Sequence, residues 1–407
     1  MPGLITERNF PTSWTIKRFK YCAQICNGGE YSDIEVEEGG YPVIGSGGEF
    51  ARASKFSYCG KSVLLGRKGT VDKPLFVDGA FWCVDTMFYT KIKDFMYEKY
   101  LYYCALCFPF DYYVTSTALP SMTQRDLGSQ EIAVPPKKEQ KAIADFLDKE
   151  CAQIDSVAAD LEKQIALLQQ YKKSLITETV TKGLDKSVPM KDSGVEWIGE
   201  IPEHWEISRV RHLASLCSGA TPSKDVLSYW EGNIPWVSSQ EVKSDIIKDT
   251  SLHISEEAIN SCSTQLMPAG TLVMVVRSGI LQHTIPVALL GVPATINQDI
   301  KAFQFNHLML PAYFKYYIQG ENDALLSVII KDKTTVESVD NQLLLSLKIM
   351  VPPIEEQKAI VAFLNYKCGY IDKILNDKHE QLNLLMQHKK SLIYEYVTGK
   401  KRVKEVQ

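Results

Sequence analysis

Apolar residues recur at helical spacing along two long stretches of the chain. In the first, Leu147, Ile154, Leu161, Leu168 and Leu175 fall every seven residues, with Val157 or Ala158, Ile165 and Thr179 between them. In the second, Leu364, Ile371, Leu385 and Leu392 keep that phase, and Lys378 interrupts it. A seven-residue apolar stripe predicts a coiled-coil seam. Pro135-Pro136 and Pro352-Pro353 mark the helix starts, because proline is tolerated in a first turn. No proline or glycine follows in the first stretch until Gly183. About 45 helical residues at 1.5 Å each make a rod of roughly 65–70 Å. A lone apolar stripe of that length is not stable in water. The two rods are therefore predicted to pair antiparallel, with a globular domain at each end.

The two stretches are copies of one another. Val134-Pro135-Pro136-Lys137-Lys138-Glu139-Gln140-Lys141-Ala142-Ile143 returns 217 residues later as Val351-Pro352-Pro353-Ile354-Glu355-Glu356-Gln357-Lys358-Ala359-Ile360. The match runs without a gap to Val180-Thr181 and Val397-Thr398, with 26 of 48 positions identical, which excludes chance. Fainter echoes precede each copy. Pro11, Trp14, Ile16 and Arg18 return as Pro202, Trp205, Ile207 and Arg209, and Cys26-x-Gly28 returns as Cys217-x-Gly219. Tyr41–Ser46 resembles Ile234–Ser239, and Gly66-Arg67-Lys68-Gly69 resembles Val276-Arg277-Ser278-Gly279. The chain reads as a tandem duplication: a first variable domain at 1–133, a helical spacer at 134–182, a linker at 183–194, a second variable domain at 195–350 and a second helical spacer at 351–407. The predicted fold class is α+β: two globular domains joined by two long matching helices in an antiparallel coiled coil, with internal pseudo-two-fold symmetry.

Within the variable domains, Ser62–Leu65 and Thr271–Val276 are strand-like, being rich in β-branched and aliphatic residues. Tyr97–Leu106 and Tyr313–Ile318 read as short aromatic helices, and Trp14 and Trp205 as core. Dense turn signals such as Gly45-Ser46-Gly47-Gly48 and Gly219-Ala220-Thr221-Pro222-Ser223 separate the elements.

Composition adds constraints. The chain has 407 residues, 45% apolar and 23% charged, with 45 basic and 49 acidic side chains. These values exclude a largely disordered or collagen-like chain and suit more than one domain. No uninterrupted apolar run approaches the 18 or so residues of a membrane span, and no secretion signal is visible, so a cytoplasmic protein is expected. Ten cysteines are then reduced and mostly buried. Cys104-x-x-Cys107 lacks a second ligand pair and reads as a buried helix face, so no metal is expected.

Charge is uneven: −1 over residues 1–133, zero over 134–194, −6 over 195–350 and +3 over 351–407. DNA affinity comes largely from phosphate neutralisation by Lys and Arg, so this chain alone is expected to bind DNA weakly and to rely on partners for grip.

No catalytic constellation is visible. Gly60-Lys61-Ser62 ends like a phosphate loop, but Lys55 stands where its first glycine belongs. No Asn/Asp-Pro-Pro-Tyr/Phe run is present, Glu241-x-Lys243 lacks the Pro-Asp strand of a nuclease, and the seven histidines are scattered. The chain is expected not to be an enzyme.

The paired Val-Pro-Pro-x-x-Glu-Gln-Lys-Ala-Ile openings, the Lys-Lys-Ser-Leu-Ile…Val-Thr closings and the lead-in Met190–Trp205 (Asp192-Ser193-Gly194-Val195-Glu196-Trp197-Ile198-Gly199 within it) resemble the specificity (S) subunit of type I restriction–modification systems. The likeness covers the whole chain. It implies that each variable domain is a target recognition domain reading one half of a split, asymmetric double-stranded DNA target. The paired helices would set the spacer and dock two methyltransferase (M) subunits. It also implies that S-adenosylmethionine, ATP and magnesium are bound by the M and restriction (R) partners, with no cofactor on this chain and no membrane. The M subunits would methylate adenine at N6. The first domain departs from the pattern by beginning almost at Phe10-Pro11, without the lead-in.

Candidate DNA contacts follow from side-chain chemistry and position. In the first domain they are Ser46, Arg67, Lys68, Thr117, Ser121, Gln124 and Arg125. In the second they are Thr221, Ser223, Ser239, Gln240, Arg277, Ser278, Asn297 and Gln298. Arg67 and Arg277, taken as equivalent in the repeat, could fork onto guanine, bridge a phosphate or pair with a nearby carboxylate. Alternatives are the specificity subunit of a type IIB-like enzyme, and a coiled-coil scaffold that reads no DNA.

Overall fold

The computed structural model describes residues 11–113, 120–262, 264–330 and 337–403. They form two compact units. One combines Met1–Lys163 with His379–Gln407, and the other is Gln164–Lys378. Each contains a globular part and a stretch of both long helices.

Those helices run Lys137–Lys182 and Ile354–Val397. They begin just past the Pro-Pro steps and end near Gly183 and Gly399, whose φ of 73° and 74° suits glycine. In the first unit Lys389 Nζ lies 2.6 Å from Asp155 Oδ1, the Phe146 and Tyr396 rings are 4.6 Å apart, and Arg402 donates to Glu139 at 3.0 Å. In the second, Lys378 donates to Gln164 at 2.5 Å and Lys172 to Asp372 at 2.6 Å. In both units residue numbers fall along one segment as they rise along its mate, so the pairing is antiparallel. Lys172–Asp372 is the repeat copy of Lys389–Asp155.

The seam departs from strict heptads. Leu147, Ile154, Leu364, Ile371 and Leu392 are buried. Leu161, Leu168, Leu175 and Leu385 are only half-buried, and Val157 is exposed. Ala158, Ile165, Ile176 and Leu375 are buried instead. Ile143, Ile154, Ile165 and Ile176 show why: they recur every eleven residues, and all are buried. Three helical turns take about 10.8 residues, so an eleven-residue line stays on one face while a seven-residue line slides off it.

The globular part of the first unit holds an antiparallel sheet in the order Ala23–Asn27, Met87–Ile92, Ser62–Gly66, Leu75–Val77. A second sheet has the order Gly48–Ala53, Tyr41–Gly45, Ala80–Cys83, Tyr58–Cys59, with its two middle strands parallel. The second unit repeats this plan. Ala214–Ser218, Ile300–Phe305, Leu272–Val275, Val287–Leu290 and Ile246–Ile247 form one sheet, and His253–Ile254, Ile234–Val237 and Thr295–Ile296 another. The predicted strands at 62–65 and 271–276 are central in these sheets, where Val63, Leu64, Leu65, Val273 and Met274 are fully buried.

Two strand pairs carry the chain into the long helices. Thr15–Arg18 pairs with Glu131–Val134, and Glu206–Arg209 with Lys348–Val351. The recurrent Glu-Gln after each Pro-Pro then acquires a physical role. Gln140 Oε1 accepts from Tyr97 N–H at 2.7 Å, and its Nε2 donates to the Pro135 and Phe95 carbonyls at 2.9 and 3.2 Å. Gln357 accepts from Leu310 N–H and donates to the Leu308 and Pro352 carbonyls, each at 2.8 Å. Tyr97 and Leu310 are the N-caps of the aromatic helices Glu98–Leu106 and Pro311–Gly320, and neither caps with its own side chain. The long helices thus supply the caps that the short ones lack. In return Tyr100 donates its hydroxyl to the Ala133 or Val397 carbonyl (2.8 and 3.1 Å), and Tyr313 to the Val180 carbonyl at 2.9 Å.

Trp14 and Trp205 are core, as expected. Trp205 Nε1 donates to Glu356 Oε2 at 2.9 Å. Part of the predicted linker is a strand: Met190–Asp192 pairs with Glu200–Pro202, and Val195 and Ile198 are buried. Cys104 lies within the first aromatic helix and Cys107 just past its end, where burial pushes the Cys107 thiol up to about 12.

Candidate nucleic-acid interface

In the first unit, the strand Ala23–Asn27 and the helix Gln124–Ser129 border two shallow depressions of about 340 and 330 Å³ that share Gln124. The helix is fixed by a capping box, in which Thr123 Oγ1 accepts from Asp126 N–H at 3.1 Å. Gln124 Nε2 donates to Asn27 Oδ1 at 2.8 Å across the gap. The first depression is lined by Lys20, Ala23, Gln24, Ile25, Lys93 and Gln124. The second is lined by Asn27, Arg67, Lys68, Phe88, Ser121, Met122, Thr123 and Gln124. The strip so formed carries four cations and three amides, and no carboxylate is among its lining residues. In a chain of net charge −4 such a surface suits a phosphodiester backbone, with amides able to donate to or accept from base edges.

Four predicted contacts meet here: Arg67, Lys68, Ser121 and Gln124. Lys68 and Ser121 form an isolated β-bridge, and Met122 N–H donates to the Arg67 carbonyl at 3.0 Å. Arg67 donates to the Asp85 carbonyl at 3.2 Å and lies over the Phe88 ring, 5.9 Å from its centroid. Arg125 is exposed beside Gln124. Ser46 lies in the turn between strands Tyr41–Gly45 and Gly48–Ala53 and is not among the lining residues of the strip. Thr117 lies outside the described residues.

In the second unit Thr221 Oγ1 donates to Gln298 Oε1 at 2.6 Å, and Ser223 lies in the same loop, its carbonyl accepting from Trp230 Nε1 at 3.1 Å. Asn297 is buried, and its Oδ1 accepts from Asp299 N–H at 3.0 Å, so it shapes the turn that presents Gln298. Ser239 and exposed Gln240 follow the strand Ile234–Val237. Arg277 is exposed, and Ser278 caps the short 3₁₀ turn Gly279–Gln282. Neither Arg67 nor Arg277 makes an ion pair with a carboxylate among the described residues. The strand register also corrects their equivalence. Leu65 pairs with Phe88 and Met274 with Lys301, while Asn27 opposes Phe88 and Ser218 opposes Lys301. This matches Leu65 with Met274, hence Lys68 with Arg277. The isolated bridges Lys68–Ser121 and Arg277–Ser338 agree.

The loop near Thr221 owes its position to a repeated glycine. A Cβ on Gly219 would lie 1.7 Å from the Ile296 carbonyl oxygen, and one on Gly28 1.8 Å from that of Val84, so only glycine permits the approach.

Lys20, Gln24, Asn27 and Lys93 were missed from sequence. Lys20 had a signal, since Arg211 occupies its repeat position. The others converge only through strand pairing with partners more than sixty residues away. Among the described residues, no group of three or more His, Cys, Asp or Glu could hold a metal ion, and no helix is long and apolar enough to cross a membrane.

Residues 11–167 and 202–384 each match the type I restriction modification DNA specificity domain, and the chain belongs to that family. It is 33% identical over 229 residues to the type I restriction enzyme EcoR124I/EcoR124II specificity subunit of Escherichia coli, covering 56% of this chain and 51% of that one. The type I restriction enzyme MjaVIII specificity subunit of Methanocaldococcus jannaschii is 26% identical over 301 residues, covering 71% and 66%. The chain thus spans about half to two-thirds of the length of these relatives. A solved chain from a structure of the type I R-M system shares the fold, with a TM-score of 0.73 at 14% identity over 97% of this chain and all of that one.

Proposed function

We propose that the chain is the DNA-specificity subunit of a type I restriction–modification complex, each recognition domain reading one half of a bipartite target in cytoplasmic DNA. One observation carries this reading: the duplication has kept one set of residues and varied another. Gln140 and Gln357, Tyr100 and Tyr313, Asp155 and Asp372, and Lys172 and Lys389 make the same contacts in both units. These tie the long helices to each other and to the domains. The lining of the strip differs: Asn27, Phe88, Lys93 and Gln124 correspond to Ser218, Lys301, Asn306 and Asn341. The contacts that pair the helices and seat the domains are held constant, whereas surfaces reading two half-sites are free to diverge.

The partners are then two M subunits on the helices, with R subunits beyond them. S-adenosylmethionine, ATP and magnesium belong to those subunits, and methyl transfer to adenine N6 is their chemistry. This chain's share is to select the site by hydrogen bonds and phosphate contacts. Co-expression with the neighbouring methyltransferase, in a host without adenine methylation, should yield a split asymmetric motif with N6-methyladenine in each half. A host-identical methylome from a soluble, co-purifying complex would leave a scaffold that reads nothing.

A further inference from the structure

Strand register allows the reading surface of the first unit to be compared with the second, position by position. Lys20 corresponds to Arg211, since both follow the buried residue opening a short helix, Phe19 and Val210. Lys93 corresponds to Asn306, because Lys93 N–H donates to the Cys22 carbonyl at 3.0 Å and Asn306 N–H to the Leu213 carbonyl at 2.8 Å. Arg67 corresponds to Val276, whose carbonyl accepts from Val339 N–H as that of Arg67 accepts from Met122. Lys68 corresponds to Arg277. Phe88 becomes Lys301, and the N-cap Thr123 becomes Asp340.

The two surfaces therefore differ in charge. The strip of the first unit holds Lys20, Arg67, Lys68 and Lys93 with no carboxylate in its lining. The matched positions of the second hold Arg211, Arg277 and Lys301, one cation fewer, while each helix start carries one carboxylate: Asp126, hydrogen-bonded to Thr123, in the first and the N-cap Asp340 in the second. Lys301 Nζ is already engaged by Ser218 Oγ. The surrounding sequence deepens the contrast, with −1 over residues 1–133 against −6 over 195–350.

We infer that the two recognition domains hold DNA unequally, the first acting as the electrostatic anchor and the second reading its half-site with mostly neutral groups. This rests on the specificity-subunit reading. Each phosphate neutralised releases counterions, so the slope of log Kobs against log salt counts the phosphates gripped. The second domain then gains less from charge than the first, and its discrimination comes from polar groups such as Thr221, Ser223, Gln240 and Gln298. A non-specific duplex would be held chiefly by the first domain.

The test uses the full chain in complex with its neighbouring methyltransferase, a labelled random-sequence duplex of about 50 base pairs, and a KCl titration. Replacing Lys20, Arg67, Lys68 and Lys93 together by Gln should flatten the slope by about 3–4, near 0.9 for each phosphate released. Replacing Arg211, Arg277 and Lys301 by Gln should flatten it by about 2, short of the roughly 2.7 that three phosphate contacts would give, because Lys301 is held by Ser218. Adding charge by Asn306→Lys, at an exposed position, should steepen it, which checks that the second surface faces DNA without relying on a loss. Equal losses from the two sets, or a larger loss from the second, would overturn the inequality while leaving DNA reading intact. A wild-type complex with no salt-dependent binding would take down the specificity-subunit reading as well.

Discussion

Gln357→Ala is the substitution whose effect follows most directly from the structure. The side chain is fully buried and serves three backbone groups: Leu310 N–H, the Leu308 carbonyl and the Pro352 carbonyl. Alanine leaves all three without that partner, the Pro352 carbonyl in a buried setting and the other two in part-buried ones. An orphaned buried polar group costs about 1–3 kcal/mol, so the loss should total about 3–6 kcal/mol, allowing for partial relaxation. That is a large part of the 5–15 kcal/mol or so that stabilises a typical domain. Gln357→Glu tests the cause: it keeps an acceptor for Leu310 but, once ionised, cannot donate to either carbonyl, and so should not rescue. Lys358→Ala serves as the control, because Lys358 is exposed and its one ion pair among the described residues is with Glu355 at 2.7 Å; its effect should stay within about 0.5 kcal/mol. Urea unfolding followed by tryptophan fluorescence reads the second unit through Trp197, Trp205, Trp230 and Trp236. A loss below about 1 kcal/mol for Gln357→Ala would refute the reasoning.

Other expectations follow from single features. Burial raises the Glu321 carboxyl to about 7, so the folded state binds its proton more tightly than the unfolded state does. Its contribution should be greatest below the ordinary value of 4.5 and decline as pH rises to about 7, by on the order of 3 kcal/mol. Comparing wild type with Glu321→Gln across that range isolates the effect, and a difference independent of pH would contradict it. Gly219→Ala must push the loop off Ile296 and should cost about 2–4 kcal/mol in a thermal melt, whereas Gly279→Ala, in open space, should be nearly silent. If the helices measure the target spacer, inserting eleven residues into both should lengthen it by about 16 Å, or roughly five base pairs, with half-sites unchanged. An unaltered spacer would remove that role.

The long helices were legible because their signals are local: proline at the start, glycine at the end, and periodicity between. The exact face was less so, since a seven-residue count fits the apolar letters and ignores the drift of a 3.6-residue helix, leaving Leu161 and Leu168 at the edge while Ile165 and Ile176 are buried. The candidate strip was legible only in part. Arg67, Lys68, Ser121 and Gln124 advertise themselves as polar residues in turns, but nothing near Lys93 or Asn27 in sequence says that they share a surface. The one-residue shift between Arg67 and Arg277 has the same origin: letters aligned the arginines, and only backbone pairing matched Arg277 to Lys68.

The two units also differ in when they can form. The second, Gln164–Lys378, is one continuous piece of chain and can close its core once that piece has been synthesised. The first cannot: its core includes Leu392, Ile393 and Val397, and its Tyr100 hydroxyl reaches a carbonyl 297 residues later. The N-terminal part of this unit therefore waits for a segment made only after the whole of the second unit, reversing the usual order in which the preceding domain folds first. During that interval the apolar face of Ile143, Leu147 and Ile154 has no partner from the C-terminal helix. A ribosome that stops before residue 379 leaves a second unit that is complete in sequence and a first unit that cannot be finished.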